Sequence, residues 1–75
     1  MARGLFTFAN THRVIRAERI LRGHGLGVEV IPTPKEISSE CGMALLVEDG
    51  EFLEALEILK TEGVEVVGVY EWDRD

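Results

Sequence analysis

Two stretches of this chain, Thr11–Arg22 and the segment that follows Asp49, carry apolar residues at helical spacing, and each lies between short apolar runs. In the first, Val14, Ala17 and Leu21 fall at i, i+3 and i+7 with Ile20 beside them, so one stripe can face a sheet. In the second, Phe52, Leu53, Ala55, Leu56, Ile58 and Leu59 form a wide apolar stripe against Glu51, Glu54, Glu57 and Lys60. The flanking runs are therefore expected to be strands of that sheet.

Leu5–Ala9 (Leu-Phe-Thr-Phe-Ala) reads as a buried first strand, with Asn10 and Thr11 as candidate N-caps of helix one. Gly23 is expected to end that helix by taking the left-handed cap conformation. The glycines of Gly23-His24-Gly25-Leu26-Gly27 follow a helix and precede a strand, whereas a phosphate-cradling loop has them between strand and helix. They read as a cap and turn. Val28–Ile31 is the second strand, and Pro32 and Pro34 after it remove two backbone donors, which suits a sheet edge. Cys41–Glu48 is apolar almost throughout and reads as a central third strand. Asp49 is the expected cap of helix two, Gly63 its stop, and Val64–Tyr70 the alternating fourth strand, with the acidic Glu71–Asp75 trailing. The order β-α-β-β-α-β predicts a ferredoxin-like α+β sandwich, residues 1–75 as one domain. Two right-handed crossovers give a four-stranded antiparallel sheet of order 4-1-3-2 with both helices on one face.

A chain of 75 residues buries only about 60% of its unfolded surface, so its own core is thin and a homodimer is expected. Alternation puts Phe6 and Phe8 on one sheet face and Leu5 and Thr7 on the other, so the face without helices is also apolar and would be hidden by pairing. The net charge of −6 argues against a nucleic-acid partner, whose binding depends on neutralising phosphates. That charge is uneven. Residues 1–24 hold five arginines against Glu18, a net +4, while residues 25–75 hold three cations against thirteen acids, a net −10. Such asymmetry suits self-association or docking on a charged protein. The N-terminus lacks a long apolar leader core and no apolar run approaches a membrane span, so no membrane partner is expected and the cytoplasm is the expected compartment.

One cysteine cannot form an internal disulfide, so Cys41 is a buried small apolar residue, a reactive thiol or an intermolecular link. One cysteine and two separated histidines make no zinc set, no cofactor loop or serine elbow is present, and neither metal nor cofactor is expected. In the expected fold, strands one and three are antiparallel neighbours, so Cys41 opens strand three beside Asn10, Thr11, His12 and Arg13. That place is the N-terminus of helix one, whose free N–H groups and dipole favour an anion. Arg13, and Lys35 from the arriving loop, add positive charge that would lower the thiol pKa. Gly42 leaves the flank of the cysteine uncrowded, and Ser38 and Ser39 can donate hydrogen bonds. His12 reads as a solvated helix-start residue, His24 as lying on the opposite side, and Arg13, Arg16, Arg19 and Arg22 as a solvated, pairing series that winds round the helix.

The strand Leu-Phe-Thr-Phe-Ala with Asn10-Thr11-His12, the succession from Val30 to Gly42 (Val-Ile-Pro-Thr-Pro-Lys-Glu-Ile-Ser-Ser-Glu-Cys-Gly) and the closing Gly63–Tyr70 resemble a small bacterial family, the selenium/sulfur (Se/S) carrier-like domains. The likeness covers nearly the whole chain, and its most specific part is the Ile-Pro-x-Pro, Ile-Ser-Ser and Cys-Gly succession. The resemblance implies a carrier rather than a turnover enzyme, with sulfur or selenium donor and acceptor proteins as partners. It further implies Cys41 as the atom that holds a persulfide or selenopersulfide, and the helix-one N-terminus, Arg13 and Lys35, with Ser38 and Ser39, as groups that would hold the anion. The chain lacks the Cys-Pro pair typical of better-known sulfur-relay proteins. Two other readings follow from the residues alone: a ligand-binding or oligomerising module with a structural cysteine, and a redox switch through a Cys41–Cys41 bridge.

Overall fold

The computed structural model describes residues 3–37 and 42–72. Six elements follow in the order β1 (Arg3–Thr7), α1 (Thr11–Gly23), β2 (Val28–Pro32), β3 (Met43–Val47), α2 (Phe52–Thr61) and β4 (Gly68–Trp72). The strands form one antiparallel sheet of order β2-β3-β1-β4, the ferredoxin-like α+β arrangement expected. β2 with its proline is an edge strand, and β1 and β3 are central.

Both helices contribute to one core on one sheet face: Val14, Ala17 and Leu21 of α1 and Ala55 and Leu59 of α2 cluster with Phe6, Leu45, Val47 and Val28. Phe6 and Phe52 meet edge to face, with ring centroids 5.5 Å apart at 68°, an arrangement aromatic quadrupoles favour. A Cβ on Gly4 would fall on the Phe52 ring, so glycine at that position lets the first turn of α2 lie directly on β1. On the opposite face Leu5, Ala44 and Leu46 are also buried, packed against Ile31, Ile37 and Trp72. The apolar centre of that face is thus covered from within the chain, which removes much of the reason to pair there.

The two helices stop in the same way. Gly25 (φ +82°) donates to Arg22 O at 3.0 Å and Leu26 donates to Leu21 O at 3.0 Å. Gly63 (φ +77°) donates to Lys60 O at 3.2 Å and Val64 to Leu59 O at 2.9 Å. Each is a left-handed glycine turn with an apolar residue after it, and Leu26 and Val64 are both buried as plugs under the helix end. These stops correct two expectations, and other boundaries shift as well. Gly23 is the last helical residue, and the left-handed position is Gly25. Val64 belongs to the helix stop, so the fourth strand runs over Gly68–Trp72 in place of Val64–Tyr70, and Glu71 is paired. The first strand lies two residues earlier than Leu5–Ala9, because the residues after Thr7 are needed to reach the extended cap at Asn10. Among the described residues the third strand begins at Met43 and ends at Val47. Helix two is entered from Glu51 and not from Asp49, and the Glu51 carboxylate makes no cap but accepts from Gly27 N at 2.8 Å.

Candidate functional site

The strand registers fix which segments meet at each end of the sheet. Thr7, the last residue of β1, lies opposite Ala44 of β3 and Gly68 of β4, and Pro32 of β2 lies opposite Met43. Asn10, three residues past Thr7, and Gly42, two before Ala44, therefore leave the sheet at the same end. Asn10 is extended (φ −156°, ψ 167°), and its Oδ1 accepts from Arg13 N at 2.9 Å. This cap satisfies the third helical N–H. Among the described residues the N–H groups of Thr11 and His12 meet no acceptor, as the first turn of a helix requires unless something is bound there. Thr11, His12 and Arg13 are all exposed.

Gly42 is exposed and takes φ +75°, a conformation that disfavours any side chain. Its carbonyl accepts from Thr33 N at 3.0 Å, which closes the loop between β2 and β3 at its base. Among the described residues Thr33 Oγ1 is buried and meets no hydrogen-bond partner, a feature that neither charge nor spacing could have marked in the sequence. At the start of the loop, Ile37 N donates to Pro34 O at 3.0 Å, a turn that exposes Lys35 and brings Ile37 onto the face away from the helices. Cys41, Ser38 and Ser39 lie outside the described residues; Ile37 and Gly42 bracket them.

The structure thus brings Thr11, His12, Arg13 and Gly42 to one end of the sandwich. Lys35 belongs to the same loop, but its turn folds toward the opposite face, and among the described residues no hydrogen bond or ion pair joins it to His12 or Arg13. The arginine series splits. Arg22 donates to Glu18 Oε2 at 3.1 Å and to Val28 O at 3.1 Å, tying the end of α1 to β2. Arg13, Arg16 and Arg19 have no ion-pair partner among the described residues. Arg16 and Arg19 line an open groove of about 500 Å³ with His12, Ile15, Ile20 and Glu62. A smaller hollow of about 180 Å³ adjoins it, between the start of α1 and Gly63–Val64, and His12, Arg13 and Arg16 line that one too. The three-residue arginine step was the only sequence signal for this groove, and a step of three does not by itself separate a paired residue from unpaired ones.

These features define a two-layer α+β sandwich in which Gly42, just before an inner strand, and the exposed N-terminus of the first helix lie at the same end of the sheet. The family model described as "Putative Se/S carrier protein-like" matches residues 3–71, and the chain belongs to that family. No curated protein and no solved structure matches it.

Proposed function

We propose that the protein carries sulfur or selenium on Cys41, as a transfer protein rather than a turnover enzyme, between a donor and an acceptor protein in the reducing cytoplasm. Family membership supports a carrier, and the observation that carries the reading to a residue is the shared sheet end of Gly42 and the α1 N-terminus. Cys41 directly precedes Gly42.

In the loading step the Cys41 thiolate attacks the outer sulfur of a donor persulfide, R–S–SH. A Cys41 S–S bond forms, the donor S–S bond breaks, and the donor leaves as the thiolate R–S⁻. Delivery is the same exchange with an acceptor thiolate, which takes the outer sulfur and regenerates the Cys41 thiolate. The sulfur moves at the sulfane level, so no external oxidant or reductant enters. A selenopersulfide follows the same course with selenium as the outer atom. Thiolate and persulfide anions are both favoured by the unengaged N–H groups of Thr11 and His12 and by Arg13. In this reading Ser38 and Ser39 are hydrogen-bond donors to the sulfur, Gly42 keeps its flank open, and Arg13 is the nearby cation, since the turn that holds Lys35 folds toward the other face.

Reduced protein treated with a small-molecule persulfide donor and weighed intact will gain one sulfur atom. Cys41→Ser will gain none. Absence of the adduct from the native chain would sink the carrier reading and leave a module with a structural cysteine.

A further inference from the structure

The outer faces of the two helices carry the same short pattern with opposite charge. On α1 it is Ile15-Arg16-x-x-Arg19, and on α2 it is Leu53-Glu54-x-x-Glu57. In each the apolar residue and the second charge are four apart and the two charges three apart, so each set lies on one helix face. All six are exposed, Leu53 at 73% and Ile15 at 46%. Among the described residues no ion pair neutralises any of the four charges within the chain. Beside the basic stripe runs the groove that Ile15 and Ile20 line with apolar surface and Arg16 and Arg19 with positive charge. A protruding leucine flanked by two glutamates matches the apolar lining and the two arginines of this groove, in which Glu62 is the acidic member, and the chain itself supplies that leucine.

We propose that two copies of this chain pair through their helix layers, with α1 of each copy against α2 of the other and Leu53 of each seated in the arginine-flanked groove of its partner. A twofold arrangement makes each contact twice and closes the assembly. The expected homodimer thus uses the helix layer in place of the sheet face that Ile31, Ile37 and Trp72 already cover. Lys60, the one exposed cation described on α2, lies beyond the acidic stripe toward the helix end.

Two charge-reversed variants test this by sedimentation equilibrium in reductant, which also removes any Cys41–Cys41 bridge. Arg16→Glu/Arg19→Glu makes both stripes acidic, and Glu54→Arg/Glu57→Arg makes both basic. The native chain will be a dimer that weakens as salt rises from about 0.05 to about 0.5 M. Each variant alone will dimerise at least about tenfold more weakly, since like charges then face each other. An equimolar mixture will form a heterodimer, because every acidic stripe again meets a basic one. A monomeric native chain, a dimer indifferent to both reversals, or a mixture that stays monomeric would each overturn the proposal.

Discussion

The two ends of the sandwich are built differently. At the end where α1 stops and α2 starts, two side chains and one backbone bond tie the elements together: Arg22 reaches Val28 O, the Glu51 carboxylate takes Gly27 N, and Glu48 N donates to Gly27 O at 3.1 Å. Phe52 closes over Gly4 beside them. At the other end Asn10 caps one N–H, Thr33 N meets Gly42 O, and the next donors of α1 are left exposed. Both helices begin with free N–H groups; α2 starts without a side-chain cap and is pinned by the Glu51 carboxylate on Gly27 N and by Phe52 on Gly4, whereas α1 starts at the Asn10 cap, exposed, at the sheet end that Gly42 shares.

Substitutions at the tied end should change stability and leave sulfur loading alone. Gly4→Ala has the largest expected effect, because the new methyl falls on the Phe52 ring; we expect a loss of about 1–3 kcal/mol by urea denaturation, with full uptake of one sulfur. Asn10→Ala sharpens the contrast from the open end. It should cost about 1 kcal/mol of stability through the lost cap, and it should also change the rate of Cys41 alkylation, which Gly4→Ala should not. Arg22→Gln removes an exposed ion pair with Glu18 and weakens the tie to Val28; a loss of about 0.2–1 kcal/mol that shrinks in high salt is expected. If Gly4→Ala and Asn10→Ala altered alkylation equally, the two ends would not be functionally distinct.

Much of this division was legible in the chain. The helical spacing of Val14, Ala17 and Leu21, the prolines at and just past the end of β2 and the glycine stops fix the element order, and the element order fixes which strands are central. What escaped was local competition among similar residues. Val64 has the composition of a strand but serves as the plug of a helix stop, and Glu51 took the place expected of Asp49 because Gly27 N lies within its reach. Ile37 reads as loop sequence, yet it packs onto the open sheet face, a long-range contact that no periodicity encodes. At the site, Asn10, Thr11, His12, Arg13 and Gly42 were expected together and are found at one end, while the turn holding Lys35 bends the other way. The cationic groove needed the structure, since only there does Arg22 separate from Arg16 and Arg19.

The rate of Cys41 alkylation as a function of pH, measured on the reduced, folded protein, tests most directly whether the open end holds a stabilised thiolate. The account predicts an apparent pKa clearly below the ~8.5 of a free thiol. A value at or above it, or a sulfur that reacts only after unfolding, would contradict the assignment of Cys41 to that end.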